Sequence, residues 1–485
     1  MGHSRNSAPA ELPLLPADAR SHMPRRDFLA RPMCGLGAMA LGMMLCEESQ
    51  GRQNAASGDP LAPAPPHFPP RAKRVIMCYM TGGVSHVDSF DPKPLLFDNH
   101  GKQITVDNWQ GKLGQFTRFL KRPNWNFRPG GRCGTEVSDL FPFIREVADE
   151  LCVIRSMETN HTNHYESTLG MHCGSWTFAR PSIGAWISYG LGTVNRNLPS
   201  FVVIAPHAPY AGAQTWGSDF LPGCHQGTPF MPGDTPVADI RPRTPMQLQE
   251  MELQMLSEAN REHAAERAED RALAARIHSF ETAFGMQRDA PEALDLSMES
   301  EATLQSYGLQ PGQTTGFGWQ CLVARRLAER GVRFIELIDV GSSNNWDAHG
   351  DMATHGPLAK NVDQPIAALI SDLKQRGMLD DTLVVWTTEF GRTPYHEKPD
   401  HAGREHHHQV FSSWLAGGGA KAGVVYGASD EFGIAGAEDR VHVHDLHATI
   451  LHLLGLDHRR LTYRHAGRDF RLTDVHGKVV EGLIA

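Results

Sequence analysis

The sequence predicts an α/β chain built on a mainly parallel central sheet, and three observations carry that expectation. Val75–Met80, Val332–Ile338 and Leu383–Thr388 are unbroken apolar runs of strand length, the pattern of strands covered on both faces. Helical patterns stand between such runs, as parallel neighbours require, because a parallel connection must cross back over the sheet. Each run also leads into acidic or histidine residues: Asp88 after the first, Asp347 and His349 after the second, Glu389 and then the His406-His407-His408 triplet after the third. In open α/β sheets the carboxyl ends of the strands form the ligand crevice, so residues hundreds of positions apart can meet there.

Taken in chain order, the N-terminus reads as an address. Arg25-Arg26-Asp27-Phe28-Leu29 precedes a short Gly/Ala/Met/Leu stretch, the pattern of a twin-arginine export signal over residues 1–46. The stretch is too short to span a bilayer, whose hydrocarbon core needs ~20 apolar residues. The expected location is therefore periplasmic or extracellular, with the export machinery as a partner. Residues 47–72 are rich in Pro and Ala and read as an extended linker. The folded body is expected over residues 73–485.

Within the body, Asp139–Glu150 reads as a helix feeding a strand at Leu151–Arg155, and Phe317–Arg330 as a helix feeding Val332–Ile338. Asp363–Arg376 places Ile366, Leu369, Ile370 and Leu373 on one helical face, with Pro365 expected in the first turn and Gly377 as the stop. A further helix is expected at Asp445–Leu454, ended by Gly455. Between the halves, Thr244-Pro245-Met246-Gln247 reads as a capping box with Pro at the first helical position. It opens a highly charged helical insertion, about 240–290, expected to stand off the body as an exposed hairpin, a lid or a dimerisation arm.

Composition narrows the function. A net charge of −9 and a pI near 6.3 leave no basic face, and no interleaved basic and aromatic run tracks a nucleic-acid backbone. No second membrane-spanning candidate is present. The six cysteines after the signal contain no CxxC pair, so their spacing specifies no disulfide partners. Histidine is abundant, 26 in all, and gathers towards the C-terminal third. Carboxylates and imidazoles in one crevice suit a divalent metal ion such as zinc, calcium or manganese.

The motifs MTGGVSHVDSFDPKP, NHTNHYESTLGMHCG, WDAHGD, TTEFGRTP, GREHHH and HDLHATILHLLGLDH, in this order and spacing, carry a family resemblance. The chain resembles the exported bacterial family called domain of unknown function 1501, within the alkaline-phosphatase-like superfamily of phosphatases and sulfatases. The resemblance implies a three-layer sandwich and one or two divalent ions acting on an anionic phosphate or sulfate ester, small or glycan-borne. It implies Asp88, Asp347, His349, Glu389, His406 and His407 as metal ligands, Asn163 and His164 in the substrate-contact slots, and Thr162 as a catalytic hydroxyl only in a shifted loop register. Asn160 falls in the nucleophile slot, which an amide cannot serve, and no cysteine sits in a C/S-x-P-x-R motif. Phe390 stands where the superfamily usually has a ligand, so either one metal site is lost or His86, His161, His164 or His355 fills the gap. Two readings stay open: a metal-dependent hydrolase, and a non-catalytic binding or structural member of the fold.

Overall fold

The computed structural model describes residues 59–109, 112–267, 270–340 and 345–485. The export signal expected over residues 1–46 and the first part of the expected linker lie outside them. The central sheet contains β1 (Arg74–Met80), β2 (Leu151–Glu158), β3 (Phe201–Ile204), β4 (Thr228–Phe230), β5 (Phe334–Asp339), β6 (Thr382–Thr387), β7 (Phe411–Ala416), β8 (Val424–Tyr426) and β9 (Val441–His442). Their spatial order is β8-β2-β7-β6-β1-β5-β3-β4, with β9 also paired to β2. All pairings are parallel except those of β7, which runs against both β6 and β2. The three strands read from the apolar runs are adjacent, β6-β1-β5, with Ile76 level with Val384 on one side and with Ile335 on the other.

Alternation along these strands divides the core in two. Ile76, Cys78, Met80, Leu337, Val384 and Trp386 pack with the helices α5 (Phe317–Glu329) and α6 (His355–Gln375). Val75, Met77, Phe334, Ile338, Leu383 and Val385 pack on the other face with α2 (Ile183–Leu191) and α7 (Val443–Leu453). The result is helix, sheet, helix: the three-layer sandwich. α6 links β5 to β6 across β1, as the crossover reading required.

Several local expectations are corrected. The helix expected over Asp139–Glu150 is two short pieces, Pro142–Glu146 and Ala148–Glu150. α6 begins at His355, eight residues before the expected start, so Pro365 lies inside the helix rather than in its first turn. Thr244 does not form the expected box: α3 (Met246–Ala265) starts after Pro245 with no side-chain cap. The insertion also divides in its attachment. α3 buries none of its residues, whereas α4 (Arg271–Leu294) seats Met286, Ala290 and Ala293 in the core beside α5.

The described part of the expected linker, residues 59–72, has no helix or strand. It lies along the body instead of hanging free: the Ala64 amide donates to the Leu191 carbonyl at 3.0 Å and the Arg71 amide to Leu453 at 2.9 Å. All six cysteines after the expected signal are free thiols. No helix among the described residues is long and apolar enough to cross a membrane.

Candidate metal centre

The site is set by how three strand ends approach one another. β1 runs on into Thr81-Gly82-Gly83, β6 into Thr388-Glu389, and β5 ends at Asp339. After β5 the chain returns so that the Trp346 amide donates to the Thr81 carbonyl (3.1 Å) and the Trp346 indole to Asp339 (2.7 Å). This tethers the next residue, Asp347, over the end of β1. The approach demands glycine: at Gly82, with φ +112°, a Cβ would stand 2.7 Å from the Asp347 amide. On the other side a Cβ at Gly403 would strike the His349 carbonyl.

Around Asp347 stand three imidazoles. His164 Nε2 is 3.3 Å from Oδ2, while His349 Nε2 and His406 Nε2 are 3.0 and 3.1 Å from Oδ1. The His349 and His406 Nε2 atoms are themselves only 2.8 Å apart. Each ring is fixed from behind through Nδ1. His164 Nδ1 donates to Glu389 (2.6 Å), His349 Nδ1 to Glu405 (2.9 Å), and His406 Nδ1 to the Thr162 carbonyl (2.6 Å). Carbonyl and carboxylate oxygens only accept, so the ring protons sit on Nδ1 and three Nε2 lone pairs converge on one carboxylate.

Converging lone pairs repel unless a cation lies among them. His164 Nε2 is buried without a hydrogen-bond partner, as a ligand atom would be. His164, Asp347 and His406 offer donor atoms that all lie within 4.8 Å of one another. The 3.0–3.3 Å spacings from Asp347 to the rings are close to the edges of a tetrahedral shell, about 3.3 Å for bonds of about 2.0 Å. The donor set fits a divalent ion. Absent one, a proton compensates: hydrogen bonds to Asp347 and Glu405 push the His349 pKa up to about 9.

The supporting charges agree with a cationic centre. Burial works against the Asp347 carboxylate, but the three imidazoles and Arg392 outweigh it and hold its pKa far below the usual range. Arg392, fully buried, donates to Asp347 at 2.5 Å, to the Gly83 carbonyl at 2.9 Å and to the Gly82 carbonyl, tying the β1 end to the Asp347 loop. Glu389 is also fully buried. Burial alone would raise its pKa, yet His164 and the Gly82 amide (2.8 Å) keep it lowered. Its second oxygen accepts from Tyr79 and Thr388, both at 3.1 Å. Tyr210 stacks on His164 with ring centroids 4.3 Å apart. His349 is the most open of the three rings, so the centre faces outward on that side.

The structure thus brings Asp347, His349 and His406 together as expected, and moves His164 from the expected rim to the centre. Glu389, an expected ligand, is not among these donor atoms: its oxygens accept from His164 Nδ1, the Gly82 amide, Tyr79 and Thr388, so it orients the His164 ring. Phe390 packs against His164 and His406, at 4.8 and 4.6 Å, and His164 supplies the donor that the phenyl ring cannot.

Two further expected ligands, Asp88 and His407, lie away from this cluster. Asp88 is fully buried and committed to Arg404 (2.7 Å), the Ser85 hydroxyl (2.6 Å) and the Asn124 amide (2.7 Å). His407 Nε2 donates to the Ile434 carbonyl (2.7 Å), and its ring stacks on His86. Asn163 is occupied as the N-cap of α1 (His164–Cys173), accepting from the Tyr165 amide at 3.0 Å. Thr162 enters through its carbonyl. Glu405 and Arg392 were missed by sequence reasoning, although each sits within one of the quoted motifs, GREHHH and TTEFGRTP.

The family described as Protein of unknown function (DUF1501) matches residues 72–484. No curated protein sequence matches the chain. Among solved structures, a sulfatase from Pseudoalteromonas sp. is similar at 13% identity, covering 80% of this chain and 68% of that one, with TM-score 0.34. A phosphonate monoester hydrolase from Silicibacter pomeroyi is similar at 11% identity, covering 65% and 68%, with TM-score 0.32. A variant of TAB5 alkaline phosphatase with Mg bound is similar at 10% identity, covering 80% and 99%, with TM-score 0.32.

Proposed function

This chain belongs to the DUF1501 family, and from that premise and the geometry around Asp347 we propose that it is a metal-dependent hydrolase of phosphate or sulfate esters. The observation that carries the reading is the convergence of His164, His349 and His406 Nε2 on Asp347, with every Nδ1 held by an acceptor. These four residues would hold one divalent ion, with a further position left to water on the side where His349 is exposed. Three imidazoles and a carboxylate suit zinc or manganese better than calcium, which takes oxygen ligands. When bound, the ion supplies positive charge against the ester oxygens and acidifies the attacking water.

The chain's own residues do the rest. Glu389 and Glu405 fix the orientation of His164 and His349, and Tyr210 and Phe390 cover the ring faces and exclude water from them. Arg392 holds Asp347 in place. With Asn160 in the nucleophile slot and Asn163 spent as a helix cap, water is the proposed nucleophile. The Asn160 substitution also supports a second reading, a non-catalytic member that keeps the site for binding. We further propose that residues 1–46 direct twin-arginine export, so that the protein works outside the cytoplasm.

A panel of aryl phosphates, phosphodiesters and sulfates, assayed with and without chelator, tests the function. Turnover that chelation abolishes, zinc or manganese restores and Asp347→Ala removes supports the hydrolase. Metal uptake without turnover on any ester class favours the binding reading.

A further inference from the structure

The loop that reaches His406 through the Thr162 carbonyl also carries Asn160, which lines a separate cavity of about 500 Å³. None of Asp347, His164, His349 or His406 lines it. Its walls include His442, at the start of α7, with Arg459, His476 and Lys478 from the segments that follow that helix.

The donors in this cavity have a defined sense. His442 Nδ1 accepts from the His444 amide (3.2 Å), so its proton is on Nε2, which donates to Asn160 Oδ1 (3.0 Å). That bond turns the amide N–H₂ of Asn160 into a donor with no partner among the described residues. Arg459 and Lys478 have no carboxylate partner among the described residues. The one acid in the lining, Asp445, is engaged by backbone: its oxygens accept from the His442 amide (3.1 Å) and the Lys478 amide (2.7 Å). Two unpaired cations and several donors therefore face one acid already hydrogen-bonded, and the cavity attracts anions.

Size and polarity narrow the ligand. The volume lies within the range of small-molecule sites, ~300–1,000 Å³, which exceeds what a lone inorganic ion fills. Val475 is the only large apolar residue in the lining, which suits a hydroxylated ligand rather than an aryl one. We propose that this cavity binds an acidic sugar residue, its sulfate or carboxylate held by Arg459 and Lys478 and its hydroxyls by His476 and the amide N–H₂ of Asn160, which His442 orients. That this sugar belongs to the ester substrate of the metal centre rests on the function proposed above; the anion site rests on its own residues.

The test uses the full chain carrying Asp347→Ala, so that binding is read apart from turnover. Calorimetric titration compares glucuronic acid, N-acetylglucosamine 6-sulfate, neutral N-acetylglucosamine and inorganic sulfate. Both acidic sugars are expected to bind at least about tenfold tighter than the neutral sugar, and the Arg459→Ala/Lys478→Ala pair to weaken them about 100-fold. Both substituted residues are exposed, so the fold is retained. Equal binding of charged and neutral sugars, or no loss in the double variant, overturns the anion site. Inorganic sulfate binding as tightly as the sulfated sugar overturns the sugar assignment. Failure of ester hydrolysis in the wild-type chain leaves these readouts untouched and bears on the function alone.

Discussion

His164 donates through Nδ1 to Glu389 at 2.6 Å and turns its Nε2 towards Asp347 at 3.3 Å, so a carboxylate buried at the end of β6 aims an imidazole that α1 delivers. The position of Glu389 behind the ring explains why an acid at a strand end can matter to a metal without touching it. Partners of this kind fix tautomer and ring angle.

Glu389→Gln therefore weakens metal binding about 10–100-fold while leaving the ion's stoichiometry at saturation unchanged. Competition against a chromophoric chelator measures the affinity. An unchanged affinity would show that Glu389 supports the fold only.

Asp88 gives the opposite expectation. It is sealed against Arg404 with neither side chain exposed, and removing one partner of a buried pair leaves the other charge uncompensated. Asp88→Ala lowers stability by about 3–5 kcal/mol in denaturant unfolding. Its metal affinity at temperatures well below unfolding stays at the wild-type value. A variant that folds with wild-type stability and cannot hold metal would restore Asp88 as a ligand.

Asp339 makes stability depend on pH. Burial pushes its carboxyl up to about 6, against the bonds from Trp346 and Asn345. A carboxyl whose folded pKa is raised binds more protons folded than unfolded, so its contribution is complete below the unfolded pKa near 3.8 and is lost as pH rises through about 6. The span corresponds to about 3 kcal/mol. Unfolding of wild type and Asp339→Asn at pH 4 and pH 7 reads this directly: the difference between them shifts by about that amount in the variant's favour at the higher pH. A difference that stays constant across the window contradicts the assignment.

The sheet was legible because β1, β5 and β6 lie at its centre, covered on both faces, and their apolar runs need no partner to be recognised. Asp347, His349 and His406 were legible because they sit in loops beyond apolar strands or in a histidine cluster. Asp88 carried the same local signal, an acid after β1, but its partner Arg404 is 316 residues away in sequence, and nothing local distinguishes an ion pair from a ligand. His164 was expected on the rim because its motif aligned with substrate contacts. Its central place follows from Asn163 capping α1, which sets the first helical residue against Glu389. The start of α6 was misplaced because Pro365 reads as a first-turn residue, whereas here the helix continues through it.

The central claim is that Asp347 and the Nε2 atoms of His164, His349 and His406 hold one divalent cation. Elemental analysis of chelator-stripped protein after reloading with zinc or manganese and gel filtration tests it most directly, alongside folded His164→Ala and Asp347→Ala variants. The account predicts about one ion per wild-type chain, consistent with a single mononuclear centre, and loss of that ion in both variants. A wild-type chain that retains no ion, or variants that retain it fully, would contradict the account.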